Sequence, residues 1–152
     1  TNDYGHETPM GTINDTEDVS FYGALNVIIS GIQKAQPDAK LVWITPTHRY
    51  GFGTSKLLGT AFTYDYLPNG RGYSLNDYVD AIKEVCDKYD IPVIDLFTLS
   101  GMDPSLSEVR TQYMPDGLHP NAAGHEKIAA VIAKELTNIV ICIPGNENHQ
   151  DS

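Results

Sequence analysis

Positive charge is scarce in this chain. Ten Lys and Arg stand against twenty Asp and Glu, a formal net charge of −10. The ten form no cluster that overrides this balance, so nucleic acid and anionic membrane surfaces are poor partners. Long apolar runs are missing as well, and none approaches the roughly 20 residues a membrane span needs. Cysteine is almost absent. Cys86 and Cys142 make neither a disulfide framework nor a metal-ligand spacing, and no close cluster of His, Cys and carboxylates points to zinc. No internal repeat is found. What is present is 152 residues, 41% of them hydrophobic, the size of one domain with a real core.

Residues 1–17 carry Gly, Pro, Asn, Asp and Thr without an apolar period and read as a loop. Over 18–36, Val19, Tyr22, Leu25, Ile28, Ile29 and Ile32 recur at three- and four-residue steps, which predicts a helix ended by Pro37. The β-branched run over 40–45 predicts a buried strand. Residues 46–73 are rich in Gly, Tyr and Thr and only weakly periodic, a long loop of the kind that is usually functional. Ser74 with Asp77 resembles a capping box opening a helix that runs through Tyr89. Its buried stripe includes Cys86, which reads as a small hydrophobe. A second strand is expected over 91–97, then a loop, then a helix over about 122–137 with Asn121 as its N-cap. The apolar burst at 139–143 reads as a short edge strand before a polar tail. Helices alternating with buried strands predict an α/β fold with a parallel sheet, although two strands are few for three helices.

The chemistry concentrates in "MPDGLHPNAAGHEKIA", residues 114–129, where Asp116 stands three residues before His119 on a turn. A carboxylate bonded to one ring nitrogen fixes the histidine tautomer and leaves the other nitrogen to take a proton. Spacing alone also permits a plainer reading, a turn aspartate and an exposed loop histidine.

The segment "DGLHPNAAGHEKIA" resembles the last block of the SGNH, or GDSL-type, hydrolases, in which Asp-x-x-His supplies the triad acid and base. The opening "TNDYG" resembles the family's Gly-x-Asn-Asp block without its leading glycine. The resemblance implies a three-layer α/β/α, flavodoxin-like fold with a parallel sheet, residues 1–152 forming the C-terminal portion of one such domain with a tail over 139–152. It implies a serine esterase without cofactor or metal, in which Asp116 orients His119 and the Asn2 amide helps bind the oxyanion. It also implies that the first strands of the sheet lie in an N-terminal segment not included here, or that another chain completes the sheet.

The family's nucleophile sits in a Gly-Asp-Ser block, and "GDS" does not occur in these residues. Ser100 precedes a glycine but lacks the pattern of a nucleophile elbow. Ser20, Ser30, Ser55, Ser74, Ser105 and Ser107 read as helix, cap or loop residues. His48, Arg49 and Tyr50 follow the first strand's carboxyl end, where open α/β sheets bind ligands, and are candidate substrate contacts. Phe52, Tyr64 and Tyr66 belong with them, as a stacking surface for a sugar or as simple packing. His6 and His125 read as loop and surface residues. Two functions follow: an esterase acting on a small-molecule or carbohydrate ester, and a non-catalytic module of the same fold that binds a glycan or protein.

Overall fold

The computed structural model describes residues 1–51, 57, 59 and 64–141. Its elements are α1 (Asn2–His6), α2 (Phe21–Ala35), β1 (Trp43–Ile44), α3 (Leu75–Lys88), β2 (Val93–Ile94), α4 (Leu96–Leu99), α5 (Ser107–Tyr113) and α6 (Ala122–Ile141). β1 and β2 run parallel, Trp43 opposite Val93 and Ile44 opposite Ile94. A parallel pair needs a crossover, and α3 lies in the connection. Just beyond the strands the buried Thr45 hydroxyl donates to Asp95 at 3.0 Å and accepts from the Phe97 N–H at 3.1 Å, so both carboxyl ends are knitted together.

Local chemistry explains where the long helices begin. The Ser20 hydroxyl accepts from the Gly23 N–H at 3.1 Å to open α2. α3 starts from a complete capping box, with each of Ser74 and Asp77 bonding the other's backbone N–H. Its stripe, Leu75, Tyr78, Val79, Ile82, Val85 and Cys86, is buried as its periodicity predicts. Burial pushes the Cys86 thiol up to about 11, which suits a core residue. The core is centred on α2 and α3, where Phe21 and Tyr78 meet edge to face with ring centroids 4.9 Å apart. Tyr4 joins them from α1, 6.3 Å from Tyr78.

Several local expectations are corrected. Residues 2–6 are helical rather than loop, and α5 occupies part of the expected loop after β2. Both are short and bury one residue each, Tyr4 and Val109, so neither leaves an apolar period to read. The expected strand over 91–97 is only two residues long, because Asp95 caps a helical turn by accepting from the Thr98 N–H at 3.3 Å. The expected strand over 40–45 shrinks likewise, since a ladder extends only where a neighbouring strand pairs with it. Residues 139–141 belong to α6 rather than to an edge strand; 142 and 143, with Cys142, lie outside the described residues. Among the described residues no helix is long and apolar enough to cross a membrane.

Candidate active site

Asp116 organises the turn that precedes α6. One carboxylate oxygen accepts the N–H of Leu118 at 2.9 Å and that of His119 at 2.7 Å. The other lies 2.6 Å from His119 Nδ1. One side chain therefore folds the turn and fixes the ring. These bonds, led by the His119 N–H and followed by its ring and the Leu118 N–H, hold the Asp116 carboxyl at about 2. The carboxylate is thus charged at any ordinary pH, so Nδ1 carries the hydrogen and Nε2 is left to accept a proton. His119 is 74% exposed and Asp116 41%.

The turn is clamped on both sides. Gly117, at φ 79°, lies in the left-handed region, and a Cβ there would stand 2.2 Å from the Tyr50 carbonyl oxygen. The Tyr50 N–H donates to the Gly117 carbonyl at 2.8 Å. Downstream, the Asn121 side chain accepts from the Gly124 N–H at 3.0 Å, as expected of the α6 cap, and donates to the Gln112 carbonyl of α5 at 2.9 Å. Met102 and Met114 are fully buried. α5, which leaves no apolar period in the sequence, therefore braces the start of α6 just after the histidine turn.

The residues after β1 take three different roles. The His48 ring lies 2.9 Å from Asp65 through Nδ1 and packs on Phe97 with centroids 3.7 Å apart. Burial would lower its pKa, but the Asp65 hydrogen bond and charge, with Asp103 and the Phe97 backbone, outweigh that and the net shift is upward. Arg49 is buried, donating from Nη1 to the Thr1 carbonyl at 3.2 Å and lying over the Tyr4 ring at 5.6 Å. Its guanidinium supports the segment that carries Asn2, an exposed residue opening α1. Tyr50 holds the histidine turn. Two adjacent residues thus reach both segments singled out in the sequence.

Asp65 and Glu7 carried no sequence signal, yet both are buried. Asp65 binds His48 and the Arg49 N–H. Glu7 accepts the N–H groups of Leu57 and Gly70 at 3.2 and 2.8 Å, ordering part of the long segment. Ser100 is buried, its hydroxyl accepting from the Met102 N–H at 3.1 Å, which is a turn role. His6 and His125 are exposed; Phe52 and Ser55 lie outside the described residues. Among the described residues, no group of three or more His, Cys, Asp or Glu converges as metal ligands.

A parallel α/β arrangement that ends on an Asp-x-x-His turn defines a class, and comparison with known proteins agrees. A sequence model of the GDSL-like Lipase/Acylhydrolase family matches residues 1–127. The chain belongs to that family, and its fold is the SGNH-hydrolase type of α/β fold. One crystal structure matches with a TM-score of 0.80 and 40% identity, over 91% of this chain and 61% of that one. A Lactobacillus plantarum protein of known structure matches at 0.78 and 34%, over 90% of this chain and 62% of that one. A third, titled a possible lipase from Chitinophaga pinensis, matches at 0.68 and 24% over 92% and 70%, a likeness of fold. The chain spans about three fifths of the first two. No curated protein sequence matches.

Proposed function

We propose that these residues are the acid–base half of a serine esterase of the SGNH type. The observation that carries the reading is the bond between Asp116 and His119 Nδ1, which leaves Nε2 as the base. In the proposed reaction a serine hydroxyl attacks the ester carbonyl while its proton passes to His119 Nε2. The tetrahedral intermediate collapses, and the leaving alcohol takes that proton. Water then attacks the acyl-serine, giving a proton to His119, and the acid departs as the serine is reprotonated. Asn2 is assigned to the oxyanion hole, where a donor aimed at developing charge is worth several kcal/mol. An acetylated carbohydrate is the substrate favoured by the tyrosine-rich segment and the acidic surface.

The serine is proposed to come from a segment outside these 152 residues, which would pair with the edge of β1 away from β2 and complete the sheet. An apolar hollow of about 280 Å³ beside β1, lined by Phe21, Leu25, Ile28, Trp43 and Tyr78, supports that placement. Ile44 is 40% exposed on the strand itself. Such an edge is a template for another strand.

The test is labelling of the native gene product with a fluorophosphonate, peptide mapping, and acetyl-ester turnover of His119→Ala and Asp116→Asn. A labelled serine outside residues 1–152 and losses on the order of 10³ or more are expected. A labelled serine within the 152 residues would refute the division of the triad. A gene product that neither labels nor turns over would favour a non-catalytic binding module.

A further inference from the structure

The segment after β1 builds an aromatic row that the acid–base chemistry does not use. Tyr50 and Tyr64 form an isolated antiparallel bridge, with rings edge to face at 5.1 Å. The Tyr64 and Tyr66 rings stack at 5.0 Å, only 23° from parallel. At the other end the Arg110 guanidinium of α5 lies 4.5 Å over the Tyr50 ring. The four side chains make one continuous row, anchored on α5 and ending at Tyr66. Tyr66 is 65% exposed.

The row is tied to the histidine turn through the backbone of its first residue. Tyr50 is the residue whose N–H holds the Gly117 carbonyl, two positions before His119. Arg110 is itself pinned, donating from Nη1 to the Ser105 carbonyl at 3.3 Å as well as to that of Pro104. The row therefore keeps its position relative to the turn. An exposed ring supported from behind by two others is preorganised, so a ligand need not bear the cost of ordering it.

We propose that Tyr66, backed by Tyr64 and Tyr50, is the alcohol-side subsite of the esterase and stacks a neutral pyranose ring of an oligosaccharide ester. The proposal rests on the esterase reading and names its substrate class. The face of a tyrosine ring carries the negative lobe of its quadrupole, while its hydroxyl remains wet. The axial C–H groups of a pyranose are weakly positive and form a flat apolar face, with polar hydroxyls around the rim. The two surfaces match. An acyl chain would instead call for a concave apolar channel, and among the described residues the row ends on an exposed ring. The net charge of −10 disfavours a polyanionic polysaccharide. Tyr66 stands two rings out from Tyr50, so the proposal places the stacked sugar beside the acylated one, and binding requires an oligosaccharide.

The experiment compares the native gene product with Tyr66→Ala and Tyr66→Trp on an acetylated xylo-oligosaccharide and on methyl acetate. The ratio of kcat/KM for the oligosaccharide to that for methyl acetate should fall about tenfold in Tyr66→Ala, through KM, and recover in Tyr66→Trp, the scale of one aromatic stacking contact. An unchanged ratio overturns the proposal, as does a fall for Tyr66→Trp equal to that for Tyr66→Ala. Calorimetry with unacetylated xylohexaose separates the subsite from the catalytic reading. Binding by the wild type that is weakened about tenfold in Tyr66→Ala supports the subsite even if no ester turns over. No binding by the wild type overturns it even if methyl acetate is hydrolysed.

Discussion

Replacing Gly117 by alanine separates two costs that a turn glycine usually conceals. Gly117 and Gly72 both hold positive φ, 79° and 84°, so alanine at either bears left-handed strain of about 1–2 kcal/mol. Around a Gly72 Cβ there is open space, whereas at Gly117 it would meet the Tyr50 carbonyl oxygen at 2.2 Å. That oxygen is backbone and cannot swing aside. The turn must therefore move from the strand end, giving up the 2.8 Å bond from the Tyr50 N–H, worth about 0.5–1.5 kcal/mol. The expected losses are about 1–2 kcal/mol for Gly72→Ala and about 1.5–3.5 for Gly117→Ala. At about 2–4 °C of Tm per kcal/mol, the second protein should melt several degrees lower than the first. A displacement of about 1 Å at the imidazole should also cut kcat/KM on a small acetyl ester by about a hundredfold in Gly117→Ala, with Gly72→Ala near wild type. Melting curves and steady-state kinetics on the native gene product decide it. Equal Tm values with full activity in both variants would refute the claim that contact with the segment after β1 holds the dyad in place.

Three other outcomes are expected. The raised His48 pKa gives stability that is fully present below the unfolded value of about 6.5 and is lost as pH rises through the folded one. Wild-type Tm should therefore decline above about pH 6.5, and a melting series should show a flatter slope for His48→Phe, in which Asp65 loses its ring partner. The Asp116 shift runs the other way: its contribution is present above the unfolded value near 3.8 and lost as pH falls towards about 2. Acid melting curves should accordingly fall more steeply between those two values for the wild type than for Asp116→Asn, and parallel slopes would contradict the bonding described for the turn. Finally, residues 1–152 expressed alone should show no His119-dependent ester turnover and should self-associate in light scattering through the β1 edge; a monodisperse, active protein would contradict the proposed division of the triad.

The stripe of α3 was legible because burial on one face leaves a period, whereas that of α2 was legible only at Leu25 and Ile29: Val19 precedes the helix, and Val19, Ile28 and Ile32 are exposed. Ser74 and Asp77 marked the start of α3 to the residue, since a cap is a local device. The Asp116 and His119 contact was legible for the same reason, with both partners on one turn. Strand length was not, because pairing depends on a neighbour that local sequence does not name. α1 and α5 were hidden by their brevity. The roles of Arg49, Asp65 and Glu7 were hidden by distance: each acts on backbone or side chains remote in sequence, and nothing in its own neighbourhood records the partner.

Arg49 and Tyr50 reach the Thr1 carbonyl and the Gly117 carbonyl, respectively. A trans peptide fixes their Cα atoms about 3.8 Å apart. That single peptide works as a ruler between two segments more than a hundred residues apart in sequence. Length changes within the long segment beyond it can be absorbed as loop entropy, which grows only slowly with length. A residue inserted between 49 and 50 has no such outlet, because it would lengthen the ruler itself. Lineages carrying this fold should therefore vary freely in the size of the following loop while keeping this junction free of insertions and deletions.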